Sequence, residues 1–433
     1  MWAVIALIII LVMVSMMGMG LPVAFTMIAA GFGGLCMSIG VEMALSILGE
    51  NMYTIAANQG LATIPLFVLM GLIFLKSGIG EDLFNAVQTW LGRIPGSMAA
   101  ASVGACAIFG AMCGSSTATT ATIGTIAAPS MIKRGYDVGL TCGVVAAAGA
   151  LGPVIPPSIY MIVYGICAEE SVGTLFIAAI IPGFFLAIAM ITQVVVLVKI
   201  NPKLAPPSQK YSWAEKVKSV NGLVIPVMVI FLVLGTIYLG VATPTEAAAV
   251  GVSGSLAIAV FQKRLSLSDF MDALGTTVSF SCMVMLLIIG GSLLSKLFAV
   301  ELIPQNLGKF IVGLPISGLL IMLAIQFVIF LGGFVIEGCA LIIILTPVFL
   351  PAIKALGFDP IVFGVSIMIN LATAVITPPF AANLYVMKGI LPDVPFGVIA
   401  KGALKFMVAD LVLLFIVIMF PQLSLWLPSM MVK

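Results

Sequence analysis

Four long apolar stretches of this sequence are interrupted by short motifs that can supply oxygen atoms as ligands. The chain reads GSST at 114–117, GPVIPPS at 152–158, a glycine pair with a lone glutamate at 332–337, and TPP at 377–379. Carbonyls freed by a helix break and serine or threonine hydroxyls suit Na⁺, and the N–H groups that begin a half-helix favour an anion. The pattern therefore predicts sites for a cation and an anion in an apolar environment.

Several other kinds of chemistry are excluded by the residue types. The chain contains no histidine, which excludes a histidine proton relay, a histidine metal site and a Ser-His or Cys-His nucleophile. The seven cysteines lie singly in apolar stretches, as is typical of packing residues. There is no Walker A loop and no catalytic pair of titratable residues. We therefore expect neither an enzyme nor an organic cofactor.

The composition is that of a membrane protein. Of the 433 residues, 62% are apolar and 8% are charged, whereas a soluble domain has about 25% charged residues. This excludes a cytoplasmic enzyme, a nucleic-acid-binding protein and a disordered chain. Charge-free runs long enough to cross a bilayer recur along the sequence, so we predict an all-α polytopic membrane protein. The first run lacks a basic leader and is predicted to be a retained span.

Two of the apolar runs are too long for single spans. The run 94–132 has 39 residues, which as one helix would measure about 58 Å against a bilayer core of about 30 Å. The run 310–353 has 44 residues, and Glu337 is its single charge. We predict re-entrant hairpins at 97–132 and 313–353. Each should line a polar cavity, because irregular backbone is not tolerated against lipid.

The second half of the sequence repeats features of the first at an offset of 222 residues. Pro156-Pro157 corresponds to Pro378-Pro379, and Gly135-Tyr136-Asp137 corresponds to Gly357-Phe358-Asp359. The proline pairs predict that the spans 138–165 and 361–388 are broken. Each repeat would contain five spans and one hairpin. Because five crossings are an odd number, the second copy would be inverted.

This scheme divides the chain into a first repeat at 1–200, a cytoplasmic linker at 201–222 and a second repeat at 223–433. The other spans are predicted at 2–19, 22–40, 60–77, 172–199, 223–241, 244–262, 277–300 and 400–422. Segments of mixed polarity, predicted to lie along the membrane interface, are 42–58, 80–93, 264–274 and 301–312. With the N-terminus outside, 14 of the 18 lysines and arginines fall on the cytoplasmic side. This positive-inside bias places both termini in the periplasm.

The motifs at 114–117, 152–158 and 377–379, with Pro129 between them, resemble the large membrane (M) subunit of tripartite ATP-independent periplasmic (TRAP) transporters. The resemblance covers essentially the whole chain. It implies a Na⁺-coupled importer of an organic anion, such as a C4-dicarboxylate, a sugar acid or sialic acid, with an elevator-type ion-transporter architecture. It also implies a bacterial inner-membrane location. The implied partners are a small four-helix membrane subunit and a periplasmic substrate-binding protein.

The resemblance further implies two Na⁺ sites and one substrate region. The first Na⁺ site would use Ser115 and Ser116 with backbone from Gly152, Ile155 and Pro157. The second would use Gly333, Ala374, Thr377 and Phe380, mostly through carbonyls, although the family usually has glycine at the position of Ala374. The substrate would bind near Ser116, Ser158 and Glu337. No metal other than Na⁺ is implied.

Each of these polar residues also has a structural alternative. Ser115, Ser116 and Glu337 could cap half-helices, and Thr377 could donate to its own helix. Glu246 fits a position in a first helical turn. The role of Asp410, an acid inside a predicted span, stays open.

Other functions fit the sequence less well. A self-sufficient Na⁺/dicarboxylate symporter of related architecture, which needs no binding protein, is the main alternative. An ion channel is less favoured because paired hairpins from opposite faces suit alternating access.

Overall fold

The computed structural model describes residues 2–431, and every regular element within that range is helical. The α-helices before the linker are α1 (Trp2–Gly18), α2 (Val23–Ile39), α3 (Val41–Ala56), α4 (Thr63–Lys76), α5 (Ile79–Leu91), α6 (Ser97–Cys113), α7 (Ser116–Lys133), α8 (Val138–Gly149), α9 (Ile159–Ala168) and α10 (Val172–Ile200). Seven helical stretches of the described part are long and apolar enough to cross a bilayer.

The linker contains one short α-helix, and eleven more follow it in the described range. They are α11 (Trp213–Ser219), α12 (Asn221–Tyr238), α13 (Pro244–Phe261), α14 (Leu267–Val300), α15 (Ile303–Val312), α16 (Gly318–Gly332), α17 (Gly338–Ala355), α18 (Pro360–Ala374), α19 (Ala382–Ile390), α20 (Phe396–Leu404), α21 (Met407–Met419) and α22 (Gln422–Ser429).

Four helix pairs are separated by short irregular segments at the motifs described above. α6 and α7 meet at residues 114–115, and α16 and α17 are separated by residues 333–337. The irregular segment between α8 and α9 covers 150–158, and the one between α18 and α19 covers 375–381. We call α6–α7 and α16–α17 the first and second hairpins, and α8–α9 and α18–α19 the first and second broken helices. That the hairpins are re-entrant and that the two sets are inverted copies stay predictions.

The centre of the protein lies around the first halves of the two broken spans. α8 is buried from Leu140 to Gly149 and packs against α6, α7 and α20. α18 is buried from Val362 to Ala374 and packs against α10, α16 and α21. A helix that is apolar and buried on all sides belongs to the interior. The first broken helix therefore places its irregular segment, 150–158, deep within the protein, whereas the segment 375–381 of the second includes the exposed residues Pro379 and Phe380.

The helix α14 differs from the sequence prediction. The segments 264–274 and 277–300 were expected to be separate, but one helix of 34 residues runs through both. No proline interrupts this stretch, and the hydroxyl of Ser266 caps its start by accepting from the N–H of Asp269. Near that end, Asp272 forms an ion pair with Lys76 of α4 at 2.5 Å. α14 packs against α2, α4 and α17 and thus runs alongside the second hairpin.

The predicted final span, 400–422, also differs in detail. The chain forms α20 and α21 with an interruption at 405–406, and α20 begins earlier than expected, at Phe396. Together they form one apolar stretch, Phe396–Met419. The difference concerns helix boundaries, which the pattern of apolar residues determines poorly.

The linker is docked on the protein. The indole rings of Trp90 in α5 and Trp213 in α11 lie 6.0 Å apart, and the ammonium of Lys216 lies 5.8 Å from both ring centres. Ser212 and Glu215 form a capping box at the start of α11. Hydrogen bonds from the hydroxyl and the backbone N–H of Ser212 hold the pKa of Glu215 below its ordinary value.

Candidate functional site

A cavity of about 240 Å³ lies where helix ends from both halves of the chain meet. We call it the tip cavity. Its lining comes from the two hairpins, the two broken helices and the long helix α14. The lining residues are Gly114, Ser115, Ser116, Thr117, Ile159, Tyr160, Phe280, Met283, Glu337, Val375, Phe380 and Ala382.

The first hairpin and the first broken helix touch through their backbones. A methyl group on Gly152 would lie 2.9 Å from the carbonyl oxygen of Ser115. A methyl group on Gly114, which has φ +61°, would lie 2.9 Å from the carbonyl oxygen of Pro157. Glycine is required at both positions, because a side chain would push the two segments apart. The backbones at Ser115, Gly152 and Pro157 therefore lie together, as a shared ligand set requires.

Ile155 belongs to the same irregular segment, but its side chain points elsewhere. A methyl group on Gly183 of α10 would lie 2.8 Å from a side-chain carbon of Ile155. The backbone N–H of Ile155 donates to the carbonyl oxygen of Leu151 at 2.8 Å. The side chain of Ile155 thus anchors the broken helix to α10. Only its carbonyl could serve an ion.

The two serines of the first hairpin have different partners. Ser115 is the N-cap of α7, and its hydroxyl accepts from the N–H of Ala118 at 3.4 Å. Ser116 is buried, and its hydroxyl donates to the side-chain oxygen of Asn383 at 2.8 Å. Asn383 in turn donates to the carbonyl oxygen of Ala146 at 2.8 Å. Asn383 was not predicted as a site residue, because its only signal in the sequence is a lone amide in an apolar stretch.

Three of the four residues predicted for the second Na⁺ site lie together. A methyl group on Gly333 would lie 2.5 Å from the Cβ of Ala374. The carbonyl oxygen of Ala374 accepts from the N–H of Thr377 at 3.1 Å. The hydroxyl of Thr377 donates to the carbonyl oxygen of Thr373 at 2.7 Å, so the structural alternative for Thr377 is realised. Phe380 lines the tip cavity beyond this group.

Glu337 caps a helix and lines the tip cavity at once. One carboxylate oxygen accepts from the N–H groups of Cys339 at 2.8 Å and Ala340 at 3.3 Å, at the start of α17. The other accepts from the hydroxyl of Tyr160 in α9 at 2.9 Å. The two roles weighed from the sequence are therefore compatible. Tyr160 was not predicted as a site residue.

Ser158 lies next to the first hairpin in a buried position. Its side chain is 1% exposed, and within residues 2–431 its hydroxyl has no hydrogen-bond partner. Its Cα would lie 3.3 Å from a methyl group on Gly114. A buried hydroxyl without a partner is costly. Ser158 itself does not line the tip cavity, but its chain neighbour Ile159 does.

Three helices begin at the tip cavity without an acidic cap. Ser116 starts α7, Ile159 starts α9 and Ala382 starts α19, and all three residues line the cavity. Their N-cap residues are serine, serine and alanine. Helix ends carry partial positive charge and N–H groups without helical partners. In α19 the N–H groups of Asn383 and Leu384 already donate to the carbonyl oxygens of Val375 and Ala381, so α7 and α9 offer more of these groups. The arrangement can hold an anion without a lysine or arginine.

A second, mostly apolar cavity of about 360 Å³ adjoins the tip cavity. The two share Ser115, Thr117, Ile159 and Phe280. Its other lining residues are Val68, Gly71, Leu72, Cys113, Ala118, Ala121, Thr276 and Val386. A molecule with a polar end and an apolar body could occupy both cavities.

The site lacks the side chains of an ordinary metal centre. No group of three or more histidine, cysteine, aspartate or glutamate residues that could hold a metal ion occurs in the described range. An ion held here would be coordinated by carbonyls and hydroxyls. Such neutral oxygen ligands suit a monovalent hard cation.

Two other acids lie outside this site. Glu246 forms a capping box with Thr243 at the start of α13: its carboxylate accepts from the N–H and the hydroxyl of Thr243, each at 2.8 Å. Asp410 in α21 is fully buried, and neither carboxylate oxygen has a hydrogen-bond partner among residues 2–431. Glu246 is thus structural, and the structure assigns Asp410 no ligand.

The amino-acid sequence from residue 9 to residue 423 matches the model of a known protein family, the tripartite ATP-independent periplasmic transporter, DctM component. The chain belongs to this family. A C4-dicarboxylate TRAP transporter large permease protein from Pseudomonas aeruginosa is 34% identical over 403 residues, which cover 90% of this chain and 94% of the relative. A sialic acid TRAP transporter large permease protein from Vibrio cholerae is 32% identical over 414 residues, or 95% of each chain.

The fold of this DctM-family chain is similar to that of a solved transporter. The YdaH transporter of Alcanivorax borkumensis matches with a TM-score of 0.61 at 14% identity, over 89% of this chain and 88% of that one. At that identity the likeness shows the fold alone. The chain is a multi-pass membrane permease of the TRAP type, as its sequence motifs predicted.

Proposed function

We propose that this chain is the large permease subunit that imports an organic anion together with Na⁺. The observation that supports this most is the meeting of three helix N-termini without acidic caps at the tip cavity. Helix N-termini attract carboxylates through N–H groups and the helix dipole. The substrate carboxylate would bind near Ser116 and Ser158. The hydroxyl of Ser158, which has no hydrogen-bond partner among residues 2–431, could donate to it.

Two Na⁺ ions would bind beside the substrate. The first would be held by Ser115 and Ser116 with the carbonyls of Gly152, Ile155 and Pro157. The backbones of Gly152 and Pro157 pack against the first hairpin. The second would be held by carbonyls of Gly333, Ala374, Thr377 and Phe380. The Ala374 methyl group packs directly on Gly333. Cations at these places would offset the charge of both the substrate and Glu337, which couples anion binding to Na⁺.

Transport would use an elevator movement of the hairpins and broken helices. The helix α14 contributes Phe280 and Met283 to the wall of the tip cavity, and the hairpins and broken helices contribute all the other lining residues. A shift of this group along α14 would carry the site from one side of the membrane to the other.

The proposed partners are a small four-helix membrane subunit and a periplasmic substrate-binding protein, and the proposed location is a bacterial inner membrane.

Uptake into proteoliposomes tests this proposal. The full chain is co-reconstituted with its small membrane subunit, and uptake of radiolabelled succinate or sialic acid is followed with and without an inward Na⁺ gradient. Uptake that requires both Na⁺ and the substrate-binding protein supports the proposal. Na⁺-driven uptake without the binding protein would favour the self-sufficient symporter. Uptake that is the same in KCl and in NaCl would overturn Na⁺ coupling.

A further inference from the structure

The first hairpin presents hydrogen-bond donors to the tip cavity, and the second presents a carboxylate acceptor. The first hairpin offers the start of α7 with a neutral cap, Ser115. The second hairpin offers the start of α17, but Glu337 already occupies the N–H groups of Cys339 and Ala340. An anionic group of the substrate therefore has N–H partners at the first hairpin. At the second hairpin it meets a carboxylate.

Tyr160 fixes the direction in which Glu337 points. Its hydroxyl donates to the carboxylate oxygen that does not cap α17, at 2.9 Å. Its ring also packs on the second hairpin, because a methyl group on Gly338 would lie 2.7 Å from two ring carbons of Tyr160. With both oxygens held, the carboxylate of Glu337 has one orientation. Its remaining lone pairs can accept from a ligand in the cavity.

We propose that Tyr160 is a positioning residue that fixes Glu337 as the acceptor end of the substrate site, so that the site prefers a monoanion carrying a hydroxyl or ammonium group over a dicarboxylate. This inference rests on the proposed anion transport. The carboxylate of the substrate would bind at the start of α7. A donor group at its other end would bind to Glu337.

Electrostatics supports this preference. A second carboxylate of the substrate would lie close to the fixed charge of Glu337, which is half-buried. Like charges at such short range repel. A hydroxyl or ammonium group in the same place would form a hydrogen bond to a charged acceptor, which is stronger than one between neutral groups. Selectivity thus arises from an attractive term for one class and a repulsive term for the other.

A matched set of four-carbon probes tests the inference. 4-Aminobutyrate, 4-hydroxybutyrate, butyrate and succinate share one carboxylate and differ only in the group at the far end. Their binding to the full-length chain in nanodiscs is measured in NaCl and in KCl by thermal stabilisation. We expect 4-aminobutyrate and 4-hydroxybutyrate to bind about tenfold more tightly than butyrate or succinate, the ratio expected for one hydrogen bond to a charged group.

Variants separate positioning from general stability. Tyr160→Phe keeps the ring but should abolish most of the preference for 4-hydroxybutyrate over butyrate. Glu337→Gln should improve succinate binding relative to 4-aminobutyrate. Tyr164→Phe is the matched control: it lies one turn further along α9, and its hydroxyl donates to the carbonyl oxygen of Pro360 at 2.6 Å, away from the tip cavity. It should leave all ratios unchanged.

Three results would overturn the inference. The first is tightest binding of succinate by the parent chain, and the second is an unchanged preference in Tyr160→Phe. The third is the absence of binding by all four probes while NaCl still stabilises the chain relative to KCl. In all three cases the proposed Na⁺-coupled transport survives. Failure of that proposal is recognised separately, by equal stability in NaCl and KCl together with Na⁺-independent uptake.

Discussion

The hydroxyl of Ser116 in α7 donates to the side-chain oxygen of Asn383 in α19 at 2.8 Å. The two residues are 267 positions apart and belong to different halves of the chain. Asn383 also donates to the carbonyl oxygen of Ala146 in α8. This pair ties the first hairpin to both broken helices at the edge of the tip cavity. Loss of the Ser116 hydroxyl would therefore remove a direct hydrogen bond between the first hairpin and the second broken helix.

Ser116→Ala should raise the Na⁺ concentration needed for half-maximal uptake, because it removes a hard oxygen next to the first proposed Na⁺ site. It should also lower the free energy of unfolding by about 1–3 kcal/mol, since the buried oxygen of Asn383 loses its donor. Ser102→Ala is the control. Ser102 is a buried serine of α6 whose hydroxyl bonds only within the hairpin, to Met98 and Met131. If both variants keep the parental Na⁺ dependence, Ser116 has only a structural role.

Glu337→Gln should insert and fold but lose most uptake, whereas Glu337→Asp should retain part of it. Aspartate can still cap α17, as Asp359 caps α18 by accepting from the N–H of Ile361 at 2.7 Å. Its shorter side chain would not reach Tyr160. The measurement is initial uptake rate at equal amounts of reconstituted protein. Parental uptake by the glutamine variant would reduce Glu337 to a helix cap.

Gly152→Ala should destabilise the protein by about 1–3 kcal/mol and weaken Na⁺ binding, because the added methyl group would meet the carbonyl oxygen of Ser115 at 2.9 Å. Gly275→Ala provides the control, since nothing lies within 4 Å of a methyl group there. In that helix interior the same substitution should stabilise by up to about 1 kcal/mol. Thermal unfolding in NaCl and KCl measures both effects. Equal behaviour of the two variants would exclude a special role for the contact between Gly152 and Ser115.

Cysteine labelling tests the predicted topology. A cysteine at Lys354 should react with a membrane-impermeant maleimide in intact cells, whereas one at Lys210 should react only after permeabilisation. Lys354 lies 3.7 Å from Glu170, so a cysteine at Glu170 should label like one at Lys354. The experiment needs Cys282→Ser as background, because Cys282 is exposed. Labelling of Lys210→Cys from the periplasm would overturn the inverted arrangement. A cysteine at Lys433 is also predicted to label from outside, but that residue lies outside the described range.

The positions of the breaks could be predicted because they have strong local causes. Proline pairs, glycines and runs too long for one span act within a few residues, so the segments at 114–115, 150–158 and 333–337 were accessible from the sequence. The continuity of α14 was not, because polar residues near its start also fit a separate interfacial helix. Tyr160 and Asn383 could not be found either. Their partners lie 177 and 267 positions away, and no local spacing encodes such pairs.

The link between Tyr160 and Glu337 also bears on how the chain could be cut and reassembled. Residues 208–210 lie in an exposed part of the linker, so a gene split there would yield two polypeptides. Expressed alone, the first would leave Ser116 and Tyr160 without their acceptors, and the second would leave Glu337 and Asn383 without their donors. Each fragment would thus contain only one partner of each of these two hydrogen bonds. Co-expression of both fragments would be needed to form either bond. Joined in one chain, the halves should melt in a single transition.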